Sequence, residues 1–286
     1  MERKIAFLGP HGTFTEEAAR FLFDGQDVNY VPFATIPDVL DAIDQGKTEF
    51  AVAPIENSIE GTVNLTMDWL IHHIDVPIRG ELALPITQHL MAAPGINLSQ
   101  VKKVFSHPQA VAQSRLFLRE HLPQAEIEYM SSTAEAVKWV ANHPDQPWAA
   151  IGNRLCQEIY PVRFLQESIQ DHDNNYTRFF VISSSVPPFK ESEKEKTTIL
   201  VTLPSDFPGA LYQVLAAFAW RKINLSRIES RPTKTGLGNY HFIIDIEQKM
   251  DDILLPGAFA EIEALGCQIR QLGSYPYFIK QVKVNS

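Results

Sequence analysis

A threonine and an arginine open the apolar run in NYTRFFVIS, the stretch that ends at Ser183. Phe179, Phe180, Val181 and Ile182 read as a buried strand, so Thr177 and Arg178 stand at its mouth. Arginine is almost never fully buried unless it is paired. Two readings stay open from these residues alone. Arg178 either snorkels to water from an edge position, or it meets an anionic ligand in a cleft where Thr177 touches the reacting end.

Several loops could supply the rest of such a cleft. In GPHGTFTEEA, Gly9, Pro10 and Gly12 make a tight turn, and Thr13 with Glu16 matches the Thr-x-x-Glu capping box. FSHPQAVAQ repeats the idea with Ser106 as cap and Gln109 three residues on, and SSTAEAV with Ser132 and Glu135. In PIENSIEGTVN, Asn57 and Ser58 form a polar turn after Pro54. Helix N-termini expose free N–H groups and a partial positive charge, which suits anions. Converging at the carboxyl ends of strands, these loops would line one crevice for a small carboxylate-bearing molecule.

Other chemistries find no support. The nine histidines show no metal-ligand spacing, and no Walker loop, GxGxxG or GxSxG occurs. Glu56 and Glu60 flank the Asn57 turn, where a solvated loop is the expected setting. His107 is a candidate proton source, set against a satisfied structural role. The two cysteines, Cys156 and Cys267, suggest neither a disulfide framework nor zinc.

These residues need a scaffold, and 286 residues allow two ordinary domains. At 45% hydrophobic the chain can build a full core. Its 25 basic and 34 acidic residues give a net charge of -9, which opposes nucleic-acid binding. No apolar stretch reaches the roughly 20 residues needed to span a bilayer, and no signal-peptide core is present. A cytoplasmic protein without membrane contact is expected.

One composition break divides the chain. SSSVPPFKESEKEKTT reads as a solvated linker. Before it, KIAFL, EFAVAPI, VKKVF, PWAAI and TRFFVI alternate with helical segments, which argues α/β. PIRGELALPITQHLMAAP is a long extended stretch that carries the chain from one lobe to another. After it, TTILVTL, a helix capped by Asp206, LSRIESR, GNYHFIIDIE, the helix PGAFAEIEAL and CQIRQLG give βαββαβ, the ferredoxin-like order. TKTGLGN is the expected hairpin turn between the second and third of these strands.

With these stretches laid out, the sequence resembles the monofunctional prephenate dehydratases that carry a C-terminal ACT domain. GPHGTFTEEA, VAPIENSIEGTVN, FSHPQAVAQ, AIGN and NYTRFFVI carry the likeness in the first part, and PGALYQVLAAFAWRKINLSRIESRP in the second. They come in the family's order and span nearly the whole chain.

The resemblance implies a two-lobed, periplasmic-binding-protein-like catalytic domain over residues 1–183, a linker over 184–197 and an ACT regulatory domain over 198–286. It implies conversion of prephenate to phenylpyruvate with loss of water and carbon dioxide, without metal or organic cofactor. Thr177 matches the family's essential catalytic threonine. Arg178, Phe179, Asn57, Ser58, Thr13 and Ser106 are the expected substrate contacts, Arg178 holding the side-chain carboxylate in a bidentate contact. Gly209, Ala210, Leu211, Asn224, Glu229, Ser230, Arg231 and Pro232 are the expected phenylalanine-binding residues. That site is shared between paired ACT domains, so a homodimer or homotetramer is implied. Two alternatives remain: the same chemistry on arogenate, and a non-enzymatic amino-acid sensor.

Overall fold

The structure is a computed structural model, and it describes residues 3–189, 192, 194–205, 207–233, 240–250 and 253–281. The first lobe runs β1 (Arg3–Leu8), α1 (Phe14–Leu22), β2 (Val28–Phe33), α2 (Ile36–Asp44), β3 (Phe50–Asn57), β4 (Gly61–Thr62), α3 (Asn64–His72) and β5 (Ile78–Pro85). The second holds β6 (His89–Ala92), β7 (Lys103–Ser106), α4 (Pro108–Gln113), α5 (Arg115–His121), β8 (Glu126–Tyr129), α6 (Thr133–Ala141), β9 (Trp148–Gly152), α7 (Leu155–Ile159) and β10 (Arg163–Gln166). The chain then returns to the first lobe through β11 (Tyr176–Ile182). The remainder is β12 (Glu195–Thr202), α8 (Ala210–Ala219), β13 (Leu225–Pro232), β14 (Tyr240–Ile246), α9 (Leu254–Ala264) and β15 (Gln268–Ile279), the βαββαβ unit expected from the sequence. The hairpin turn expected at Thr233–Asn239 lies, beyond Thr233, outside the described residues, as does Asp206.

The two lobes have separate sheets. The second lobe's five strands run β10-β6-β9-β7-β8. The long stretch expected to cross between lobes resolves into β5 in one sheet and β6 in the other. The return crossing runs from β10 to β11. Two backbone bonds tie the crossings together: Ile86 N–H to the Asn175 carbonyl at 2.8 Å and Ile169 N–H to the Gln88 carbonyl at 2.9 Å.

The first lobe does not stop at the linker. Its strands and those of the ferredoxin-like unit form one ten-stranded sheet along β13-β14-β12-β15-β5-β11-β3-β1-β2, with β4 paired to β3. The last strand, expected to end near Gly273, continues to Ile279 and adds parallel to β5, with Tyr277 opposite Glu81. One hydrophobic core follows. Met67, Leu70, Ile71 and Ile74 around α3 pack with Leu200, Ile243, Leu272 and Tyr275 of the C-terminal unit. Helices α8 and α9 cover that unit's other face through Val214, Phe218, Phe259 and Ile262. Alternation along each strand supplies both faces.

The stretch expected to be solvated is therefore in part buried, a correction. β12 starts at Glu195, Lys196 is buried, and Phe189 packs against Phe23 and Phe278. A lysine can be buried here because a carboxylate waits for it, which composition does not reveal.

The sheet junction needs a residue without a side chain. A Cβ on Gly273 would stand 2.2 Å from the Ile78 carbonyl oxygen. Gly273→Ala is expected to cost about 1–3 kcal/mol through this clash, read as a lower midpoint in chemical denaturation. An unchanged midpoint would mean that the junction opens without loss.

Candidate functional site

Between the lobes lies a cavity of about 370 Å³. Its walls are the start of α1, the β3–β4 turn, and the starts of α4 and α6; the two crossings make its floor, with Ile86, Gln88, Asn175 and Thr177. Among the described residues no lysine or arginine lines it, and its only acidic or basic side chains are Glu60 and His107. A second cavity of about 430 Å³ lies between α1, α7 and Phe189. Its cations are spoken for: Arg20 pairs with Glu16, Arg154 with Glu167 and Lys280 with Glu17.

Strand alternation decides what β11 presents. Thr177, Phe179 and Val181 share one face, and Arg178, Phe180 and Ile182 the other. Thr177 reaches the cleft. Arg178 turns away from it, toward the C-terminal unit, which corrects the expectation of a substrate contact. Its guanidinium meets Glu81 through Nε at 2.7 Å and Nη2 at 3.0 Å, Glu56 at 2.7 Å and Asp245 at 2.7 Å. Lys196 adds a second cation at 3.0 Å from Glu81. Glu81 and Asp245 have fully buried side chains. Burial works against the Arg178 charge, but hydrogen bonds and attraction from Glu81 and Asp245 outweigh it and hold the guanidinium firmly protonated. Phe179 is also corrected: it is buried in the core with Ile5, Val52 and Leu82, out of reach of a ligand.

Asn57 fixes the orientation of Thr177. Its Oδ1 accepts from the backbone N–H of Ile59 at 3.0 Å and of Glu60 at 3.2 Å. Its Nδ2 donates to Asn175 Oδ1 at 2.8 Å and to Thr177 Oγ1 at 2.9 Å. Two donors and two acceptor sites are thus all used, and Asn57, which also lines the cleft, holds the Thr177 hydroxyl in place. Because Thr177 Oγ1 accepts from Asn57, its own proton remains to be donated. Asn175 Nδ2 continues the chain to Gln113 Oε1 of the second lobe at 3.1 Å.

The capping loops sort in the same way. Thr13 lines the cleft and caps α1, its Oγ1 accepting from Glu16 N–H at 3.3 Å and donating to the Leu8 carbonyl at 2.8 Å. Glu16 does not close a capping box: its carboxylate accepts from Gly12 N–H at 2.7 Å and pairs with Arg20. Ser132 caps α6 as expected, accepting from Glu135 N–H at 3.0 Å. Ser106 does not cap α4 or touch the cleft. It is buried and donates to the Ile151 carbonyl at 2.9 Å, and His107 takes the cap position, Nδ1 accepting from Gln109 N–H at 3.3 Å. A neutral His107 therefore carries its proton on Nε2. Ser58 is exposed outside the cleft lining, where Oγ accepts from Tyr176 N–H at 2.9 Å. Glu60 holds its proton more readily than an ordinary carboxyl: partial burial raises its pKa, against the lowering influence of His107.

The C-terminal candidates divide by strand parity. Glu229 accepts from Thr62 Oγ1 at 2.9 Å, and Thr62 lines the cleft. Arg231 donates to Asn64 Oδ1 at 2.6 Å and lies 3.7 Å from Asp68. Ser230 and Pro232 face outward on β13, the edge of the large sheet. Gly209, at φ +90°, precedes α8, with Ala210 buried and Leu211 half-buried. Asn224 donates to Glu247 at 2.5 Å. Sequence reasoning passed over Gln88, Gln113, Glu81 and Asp245. Only the alternation of FIIDIE around a lone aspartate hinted at the last.

The chain matches the family model described as prephenate dehydratase over residues 5–186 and that of the ACT domain over 197–255. It is 46% identical over 280 residues to a prephenate dehydratase of Bacillus subtilis, covering 95% of this chain and 98% of the relative. Its fold is similar to the crystal structure of a prephenate dehydratase from Arthrobacter aurescens in complex with L-Phe, with a TM-score of 0.85, 38% identity, and 96% of this chain and 89% of that one covered. GqqA, a quorum-quenching acylase, is similar at a TM-score of 0.85 and 27% identity, with 96% and 98% covered.

The cluster around Arg178 has a pH signature. Burial pushes the Asp245 carboxyl up, but the charges of Arg178 and Arg227, with hydrogen bonds from Arg178 and Thr198, hold it below the usual carboxylate range. A folded-state pKa below the unfolded one stabilises above the unfolded value and is lost as pH falls through the folded one. Stability is expected to decline below about pH 4, and Asp245→Asn, which leaves Arg178 under-compensated, to cost about 3 kcal/mol at neutral pH. Denaturation at several pH values checks both: the variant should lose much of the acid-dependent slope.

Proposed function

The chain belongs to the prephenate dehydratase family, and we propose that it turns prephenate into phenylpyruvate in the inter-lobe cleft, under control of phenylalanine at its ACT domain. One observation carries the reading: Asn57 occupies an acceptor site of Thr177 and leaves the threonine proton free to face the cleft.

The reaction asks for little else. The ring carbon–oxygen bond breaks and the oxygen leaves as water with one added proton. The bond to the ring carboxylate breaks with it, its electron pair enters the ring, and carbon dioxide departs as the ring becomes aromatic. A threonine hydroxyl does not titrate near neutral pH, so it serves as a hydrogen-bond donor to the leaving oxygen. The proton is renewed from Glu60, from His107 or from water. The substrate's two carboxylates meet the N-terminal ends of α1 and α6 rather than a cation. A ring carboxylate without an ion pair, in a closed cleft, loses carbon dioxide more readily.

Phenylalanine control rests on the same strand parity. An effector held at Ser230 and Gly209–Leu211, between two copies joined along the open β13 edge, would pull on Glu229 and so on Thr62 at the cleft. A coupling of about 1–3 kcal/mol is ordinary for such a device. We place this homo-oligomeric enzyme in the cytoplasm, in phenylalanine biosynthesis. No helix of the described residues is long and apolar enough to cross a membrane.

Phenylpyruvate formation from prephenate, with and without phenylalanine, tests the reading. Turnover that falls with phenylalanine is expected; folded protein that binds phenylalanine without turnover would point to a sensor. Thr177→Ala is expected to lower kcat by about 10²–10⁴-fold with little change in the unfolding midpoint, and Thr177→Ser to retain most activity. Near-normal turnover by Thr177→Ala would end the role given to it.

A further inference from the structure

The turn that opens α1 is seated in the second lobe. Cys156 lies in α7 and Tyr160 caps the end of that helix. Spaced i and i+4, the two side chains stand on one face. Both reach across to the first lobe: Tyr160 Oη donates to the His11 carbonyl at 2.8 Å, and Cys156 Sγ to the Gly12 carbonyl at 3.2 Å. Burial pushes the Cys156 thiol up to about 12, so it stays protonated and remains a donor. The fit leaves no room for a side chain on the turn. A Cβ on Gly12, at φ +91°, would stand 3.1 Å from Cys156 Sγ, 3.2 Å from the Tyr160 ring and 3.5 Å from Ala134 Cβ. Within the first lobe, the Glu16 carboxylate accepts from the Gly12 N–H at 2.7 Å. The turn is thus held by its own helix through an N–H and by the second lobe through two carbonyls.

This contact lies beside the cleft. Thr13 follows Gly12 and Thr133 precedes Ala134, and both threonines line the cleft. They stand at the starts of α1 and α6, the helix ends assigned to the substrate carboxylates. One helix belongs to the first lobe and the other to the second, so the distance between these ends is set by how far the lobes close. The two crossings fix the lobes at the floor of the cleft, and the Gly12 turn fixes them at its flank. A hinge motion about the crossings would draw the turn off α7 and part the two helix ends in one movement. Cys156 is fully buried while the turn is seated, with its Sγ against the Gly12 carbonyl.

We propose that Tyr160 is a positioning residue: with Cys156 it latches the Gly12 turn to the second lobe, keeps the cleft closed and sets the spacing of the α1 and α6 N-termini that receive the substrate carboxylates. The carboxylate part rests on the dehydratase reading of the cleft, whereas the latch stands without it. Tyr160 is half-buried, so losing its hydroxyl leaves both lobe cores intact. The loss of one neutral hydrogen bond between the lobes corresponds to about threefold to tenfold in their open population.

Tyr160→Phe in the full-length protein tests it through two readouts. The first is alkylation by iodoacetamide without substrate, followed for each cysteine separately by peptide mass. Cys156 is reached when the turn lifts, while Cys267 lies in the core of the C-terminal unit and reports on the opening of that unit. Tyr160→Phe is expected to raise the alkylation rate of Cys156 about threefold to tenfold and to leave that of Cys267 unchanged. An unchanged Cys156 rate, or a rise shared equally by both cysteines, would overturn the latch. The second readout is turnover of prephenate. KM is expected to rise about threefold or more, with kcat changed less than about twofold, because the same contact holds the helix ends in the bound and the reacting complex alike. A KM within about twofold of the parent, despite faster Cys156 alkylation, would overturn the positioning role. Absence of turnover by the parent protein would instead defeat the dehydratase reading, with the alkylation rates still deciding the latch.

Discussion

Arg178 brings a permanent charge into the middle of a ten-stranded sheet, and three carboxylates from three different strands make that tolerable. Glu56 comes from β3, Glu81 from β5 and Asp245 from β14. An unpaired guanidinium there would cost several kcal/mol, and so would any of the buried carboxylates without it. Lys196 and the Thr198 and Tyr275 hydroxyls complete the compensation. Removing one member leaves the others in debt, so the cluster holds the N-terminal lobe and the ACT domain in one relative placement. Phe180 and Ile182 on the same face continue this bond between units as apolar packing.

Thr177 inherits its position from that arrangement. It is the residue before Arg178 on the same strand, turned to the opposite face. The ACT domain therefore stands behind the Thr177 hydroxyl, with one residue of backbone between them. A second contact reaches the cleft at its wall, where Glu229 bonds Thr62. Both contacts connect an element of the ACT sheet to a residue in or beside the cleft. A shift of that sheet has two short routes to the site, and neither needs a lid or a disordered segment.

On the proposed reading, the cleft meets a dianionic substrate with amides, hydroxyls and helix ends rather than with arginine. A strong cation would bind substrate and product carboxylates alike and would steady the very group that must leave as carbon dioxide. Uniform binding of that kind does not lower the barrier. The floor instead carries a chain of amides, Gln113 to Asn175 to Asn57, that spans both lobes and ends on Thr177. Asn57, the last amide of the chain, is saturated by its neighbours, so the Thr177 hydroxyl is oriented by the protein itself.

The sequence by itself determined the local structure. Thr13 and Ser132 cap their helices because a hydroxyl three residues before an N–H is a local geometry. The βαββαβ order, the two lobes and Thr177 at a strand mouth were legible for the same reason, or through the resemblance. Ser106 failed as a cap because its strand was buried and a carbonyl of β9 claimed its hydroxyl. Only the tertiary structure decided where Arg178 points and what it meets. Its partners lie far away in sequence, and the strand's two faces differ only by what packs on them. The buried linker end and the strand shared with β5 are likewise facts of packing, set by groups that no local pattern brings together.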